Sequence, residues 1–330
     1  MSIHKCLRRA LGVALFVVPV WATATPINFS FNYLDGAGEG FNDAANGAAA
    51  KAALDYAGSI WGSYLPASYV GETIHVSVYM DSLGTSGANT LAFASSMNLW
   101  WNNAKYPQQS TIYGSALANH FAGKDLSTTA DEIKVTFNAD KLFYYGTDFN
   151  AVSPSYDFVS LALHEMGHGL GFFSRIDHDN SDSSFGGMLT STSSSTGISN
   201  QYPSIYDRFL VDGNGVKLID MTDADRAVAI TSSNVFWSGA NAAAANGGVY
   251  PEIYAPAALS AGSSLTHFDD ATHFLLDPNL AKGEDVRVDA VTLGVLKDIG
   301  WTIAAVPEPS SYAMFLAGLL GLAALKRRRS

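Results

Sequence analysis

The stretch His164-Glu165-Met166-Gly167-His168-Gly169-Leu170-Gly171-Phe172 decides how this chain is read. Two histidines four apart, the first followed by glutamate, lie one turn apart on the same face of a helix. Both imidazoles can then face one metal ion while Glu165 reaches a metal-bound water, which is the donor set of a hydrolytic zinc site. The helix is expected from about Tyr156 to Leu170. Val159, Leu163, Met166 and Leu170 are spaced to bury one side, which leaves the histidines on the neighbouring face toward a cleft. Gly169 and Gly171 are expected to end it, since glycine takes the left-handed turn that redirects a chain.

Working outward, residues 43–65 have Ala49, Ala53, Tyr56, Ile60 and Tyr64 on one stripe, with Pro66 after the end, and predict a helix. Glu72 to Met80 alternates, with Ile74, Val76, Val78 and Met80 on one face, and predicts a half-buried strand with His75 on its surface. Ile133, Val135 and Phe137 predict a second strand. Its segment, Glu132 to Asn138, is the candidate edge on which an extended substrate pairs. Residues 181–200, rich in Ser, Thr and Gly, read as a surface loop. Tyr206 to Val211, the turn 212–215 and Val216 to Ile219 read as a hairpin. The Ala- and Gly-rich run Gly239 to Gly248 reads as irregular. Asp289 to Asp298 predicts a last helix, capped by Asp289 and closed by Gly300. Helices packed on a twisted sheet give an α+β class with a loop-rich C-terminal part.

The two ends differ from the middle. Residues 1–24 hold Lys5, Arg8 and Arg9, an apolar run from Leu11 to Val20, and Ala22-Thr23-Ala24, the pattern of a secretory signal peptide. Cys6 is the single cysteine and lies in that leader, so the exported chain has no disulfide framework. Residues 305–330 contain Pro307-Glu308-Pro309, a mostly apolar run from Tyr312 to Leu325, and Lys326-Arg327-Arg328-Arg329. This tail resembles the PEP-CTERM sorting signal of bacteria. The resemblance implies processing by an exosortase-type membrane enzyme and a protein that is secreted or on the cell surface, held transiently in the membrane by its C-terminal segment. The expected domain is then 25–304. Of 19 basic and 30 acidic residues, the leader holds three basic, the tail four basic and one acidic; 12 against 29 remain, a net charge of −17. Such a surface excludes nucleic-acid binding through phosphate contacts. Asp177, Asp179 and Asp182 supply oxygen ligands of the type calcium takes, without the full spacing of a calcium loop.

A catalytic zinc has three protein ligands and an open position for water. The short extended motif HExxHxxGxxH fails here, because Ser174 stands where its third histidine belongs. The later glutamates, Glu252, Glu284 and Glu308, are not in helix-like contexts, which leaves His178, Asp177, His267 and His273. The segment HEMGHGLGF, with Ser263-Ser264-Leu265-Thr266-His267-Phe268-Asp269 far downstream, resembles the leishmanolysin-like metzincins, in which a long insertion precedes the third histidine. The chain is also similar to secreted bacterial zinc proteases in Tyr156-Asp157-Phe158 and Asp298-Ile299-Gly300-Trp301. The resemblance implies a metzincin-like zinc protease domain, with His164, His168 and His267 as zinc ligands and Glu165 as general base. Where metzincins carry a methionine turn beneath the metal, this chain has Leu275-Leu276-Asp277-Pro278, with Leu276 at the corresponding place.

The expected activity is therefore that of a zinc-dependent endopeptidase acting on protein or peptide substrates. Asp35, in an Asp-Gly turn, is expected to be structural rather than a latency switch. The competing expectation is a noncatalytic surface or matrix protein with a structural zinc. Glu165 separates the two, since a structural site has no need of a base.

Overall fold

Alternating apolar residues build a four-stranded sheet from β1 (Asn28–Tyr33), β2 (Thr73–Asp81), β3 (Ala92–Ser96) and β4 (Ile133–Asn138), in the order β1-β2-β4-β3. The structure is a computed structural model that describes residues 25–85, 87–177, 186–192, 199–260 and 262–304. The leader, the tail, His178, Asp179, Asp182 and most of the 181–200 loop lie outside the described residues. Strands β1, β2 and β4 run parallel, whereas β3 is antiparallel to β4. Ile74, Val76, Val78, Ile133, Val135 and Phe137 are all buried, as the alternation predicts.

The expected edge at Glu132 to Asn138 is corrected here. Strand β4 is interior, paired by β2 on one side and β3 on the other, and the edges are β1 and β3. Alternation cannot separate the two cases, because a central and an edge strand bury the same face.

Two helices cover one face of the sheet. Helix α1 (Gly47–Tyr64) connects β1 to β2 and packs beside α3 (Phe158–Gly169), which carries the histidine motif; the short α2 (Ser115–Ala122) lies between them in sequence. Trp61 Nε1 donates to Leu163 O at 3.1 Å, so α1 holds the motif helix by its backbone. Asp157 caps α3, its carboxylate accepting from the Ser160 N–H at 2.8 Å. Gly169 belongs to the helix instead of ending it. A Cβ there would lie 2.4 Å from Ile133 Cγ2, so the missing side chain lets α3 rest directly on β4. Gly171, at φ +128°, makes the turn.

The C-terminal part has a small sheet of β5 (Leu210–Asp212), β6 (Val235–Trp237) and β7 (Glu252–Ile253) with α4 (Asp223–Ala229), α5 (Ala240–Ala245) and α6 (Ala290–Ile299). The expected hairpin survives only in part. Val211 bridges Lys217, but β5 pairs with β6 and Leu218–Asp220 is a 3-10 turn. The run expected to be irregular forms α5, because Asp298, distant in sequence, accepts from the Asn241 and Ala242 N–H groups and caps it. Helix α6 follows the sequence, with Asp289 at its start and Gly300 at φ +119° at its end. One continuous apolar core runs from Ile27 to Trp301 and joins both parts.

Gly169→Ala is expected to lower unfolding stability by about 1–3 kcal/mol, through overpacking against a buried strand. Chemical denaturation of the purified 25–304 segment measures this; a neutral result would mean that α3 does not rest on β4.

Candidate metal centre

Helical spacing alone places His164 and His168 side by side; the third group arrives from 99 residues further along the chain. The Nε2 atoms of His164, His168 and His267 form a triangle with edges of 3.1, 3.1 and 3.2 Å. Each ring's other nitrogen meets a backbone carbonyl: His164 Nδ1 donates to Leu275 O at 2.7 Å, His168 Nδ1 to Phe172 O at 2.8 Å and His267 Nδ1 to Ser263 O at 2.8 Å. A carbonyl only accepts, so all three neutral rings carry their proton on Nδ1 and turn a bare Nε2 lone pair inward. Three lone pairs facing one another at this distance repel, and no hydrogen bond between them relieves it. A cation does. Tetrahedral zinc, at about 2.0–2.1 Å from each nitrogen, would separate its ligands by roughly 3.3 Å, close to the triangle found.

Burial reinforces the neutral state. Desolvation pushes His164 down to about 3, with His168 adding to the effect, and His168 down to about 4, while His267 falls well below its ordinary value. Glu165 is 4 % exposed, and its Oε2 is buried without a partner. Desolvation raises its carboxyl to about 8. A carboxyl left without a hydrogen bond beside three imidazoles is a group kept for a ligand or water.

Long-range backbone pairing delivers His267. Tyr254 N–H donates to His267 O at 3.0 Å, and Phe268 N–H to Leu276 O at 2.8 Å, so the histidine is stitched between the end of β7 and the Leu275-Leu276 turn. That turn does two things. Leu275 O orients His164, and fully buried Leu276 lies under α3, where a Cβ at Gly167 would meet Leu276 Cδ2 at 3.0 Å. Leucine therefore fills the place at which the sequence departs from a methionine turn.

The other candidates are elsewhere. His273 has an 81 % exposed side chain and stands 3.9 Å from Glu284. Asp177 is buried and joined through its backbone to Gly186 and Gly187, outside the convergent set. Ser174 Oγ donates to Asp207 at 2.6 Å. Asp35 accepts from the Phe41 and Met80 N–H groups, a structural turn as expected.

The triad opens into a cleft of about 680 Å³ that runs along β3. Asn138 N–H donates to Leu91 O and Met97 N–H to Glu132 O, so the odd-numbered residues of this strand bond inward to β4. By antiparallel alternation, Ala92, Ala94 and Ser96 turn their N–H and C=O groups to the cleft. Sequence reasoning missed this edge, and it missed Arg175, which also lines the cleft.

Comparison with known proteins identifies one feature. The PEP-CTERM protein-sorting motif matches residues 305–330, which marks the chain as an exported protein recognised and processed by an exosortase-type enzyme. No curated protein and no solved structure matches the chain significantly. Among the described residues, no helix is long and apolar enough to cross a membrane; the apolar segment of the tail lies outside them.

With divalent metal withheld, Glu165 makes stability depend on pH in a definite direction. A carboxyl raised from 4.5 to about 8 contributes stability that is full below 4.5 and lost as pH rises toward 8. The unfolding free energy of Glu165→Gln, from denaturant titrations at successive pH values, should therefore gain on wild type across that window by up to about 1.4 kcal/mol per pH unit. A difference that stays flat from pH 4.5 to 8 would show that Glu165 is not desolvated.

Proposed function

We propose that the chain is an exported zinc-dependent endopeptidase of metzincin-like build. The observation that carries this is the combination of three inward lone pairs with an unpartnered buried carboxyl, at the wall of an open cleft. His164, His168 and His267 would hold zinc. When bound, the ion lowers the pKa of a water toward 7, polarises a carbonyl oxygen, and keeps Glu165 ionised by its positive charge.

The chain's own residues supply the rest. Glu165, on the helix turn between the two histidines, takes a proton from the attacking water at its carboxylate and returns it to the leaving amine. The carbonyls of Phe172, Ser263 and Leu275 fix the imidazole orientations, so the ligands are set before substrate arrives. An extended peptide adds to the free edge of β3, where the N–H and C=O groups of Ala92 and Ala94 are available, and this alignment carries a peptide bond past the triad. The parallel sheet with one antiparallel edge on the cleft, the HExxH helix and the apolar turn beneath it support the metzincin-like reading.

The same cleft weighs against a structural zinc. Structural sites are closed by four protein ligands, whereas here three histidines face open space and the nearby carboxyl has no structural partner.

Purified residues 25–304 should bind one zinc per chain by metal analysis and cleave unfolded casein in a chelator-sensitive way. Glu165→Gln should keep the metal and lose at least about 100-fold in turnover. His267→Ala should lose both metal and activity, whereas His273→Ala should change neither. Full activity in Glu165→Gln, or stoichiometric zinc in His267→Ala, would defeat the assignment.

A further inference from the structure

Among the described residues lining the cleft, Arg175 is the single lysine or arginine, in a domain of net charge −17. Its guanidinium is fastened, and among the described residues it forms no ion pair. Nη2 donates to Leu189 O at 3.0 Å, Thr190 O at 3.1 Å and Ser191 Oγ at 2.6 Å. Nε is buried without a partner, and Nη1 makes no hydrogen bond among the described residues. Asp207 acts on the Arg175 guanidinium as a nearby charge, without a hydrogen bond to it. Its oxygens accept from Ser174 Oγ, Ser204 N–H and the Arg175 backbone N–H, and none of these bonds involves the guanidinium.

A half-buried cation without a directly paired carboxylate is stabilised by one that a ligand brings. Here three neutral acceptors hold the side chain in place, and the remaining donors belong to a group on the cleft wall. Its position along the cleft follows from its neighbours. A Cβ at Gly114 would touch both Ser96 Oγ and the Phe173 ring, so the segment from Phe173 to Arg175 flanks the Ser96 end of β3. A peptide lying on that strand passes beside it.

We infer that Arg175 binds a carboxylate of the substrate on the Ser96 side of the scissile bond and makes the protein selective for acidic polypeptides. This rests on the peptidase reading above. Arginine suits the role because its guanidinium keeps its charge when half-buried and can donate from Nη1 to a carboxylate while Nη2 remains tied to the protein. The carboxylate comes from an Asp or Glu side chain or from a chain terminus.

The test uses amidated fluorogenic peptides carrying one Glu, Gln or Lys at successive positions around the cleaved bond, and the Gln peptide again as a free acid. Two readouts are taken near 0.15 M salt: kcat/KM with zinc-loaded wild type, and binding by fluorescence anisotropy to Glu165→Gln. Glu is expected to exceed Gln roughly tenfold at one position in both. Arg175→Gln abolishes the difference, Arg175→Lys retains part of it, and Arg175→Glu shifts the preference to Lys; zinc content checks that each variant folds. Preference for the free acid alone also supports the inference and names the chain terminus as the source. Equal treatment of all peptides by wild type overturns it, as does a preference that survives Arg175→Gln. Binding that depends on Arg175 without cleavage of any peptide would remove the peptidase reading and keep the carboxylate site. Cleavage without preference would do the reverse, and no binding at all would remove both.

Discussion

Three imidazole lone pairs packed against one another at the wall of a cleft are the constraint on which this structure turns. Left to themselves they repel, and desolvation disfavours the protonated form of each ring. The arrangement holds because each Nδ1–H is bound to a backbone carbonyl from a different segment: Phe172 just past the helix, Ser263 in the loop before His267, and Leu275 in the turn beneath. Backbone carbonyls are more rigid partners than side chains, so the ring planes are fixed by the path of the chain.

That path is set around α3. The helix is held at its carbonyls by two tryptophans, Trp61 on Leu163 O and Trp301 on Leu170 O at 2.8 Å. It is held from below by Leu276 against Gly167 and by Ile133 against Gly169. The two motif-interior glycines thus admit neighbours where side chains would stand. Trp301 also packs on His120 with its ring tilted and ring centroids 4.6 Å apart, so the last described segment of the chain closes over the end of α3. An exported domain without a cysteine has no covalent staple, and these long-range contacts between buried aromatics and backbone supply its cohesion.

The acidic surface and the sorting motif fit a protein that works outside the cytoplasm, and the charge inside the cleft runs against that of the whole. Arg175 interrupts a negative background at the one place where a substrate would lie. Long-range repulsion is screened within about 8 Å at physiological salt, so a single oriented guanidinium decides what the cleft meets at contact distance.

Local patterns were legible in the sequence because they depend on residues a few positions apart. Helical periodicity gave α3, with His164, Glu165 and His168 on the cleft side, and the extent of α1, although the buried stripe of α1 runs through Ala50, Leu54, Ala57 and Trp61 instead of Ala49, Tyr56 and Ile60; alternation gave β2 and β4; Asp289 and Gly300 gave the limits of α6. The tail was legible for the same reason, as three contiguous parts. What the tertiary structure decided involves partners far apart in the chain. His267 and His273 are both loop histidines, and only the pairing of Tyr254 with His267 and of Phe268 with Leu276 turns the first inward while the second stays in solvent. The edge moved from β4 to β3 because strand order depends on which chains hydrogen-bond, and side-chain alternation is silent about that. The alanine run became α5 because its cap, Asp298, stands on another helix. Arg175 gained its place on the cleft wall from Leu189, Thr190 and Ser191, which hold Nη2 from across a loop.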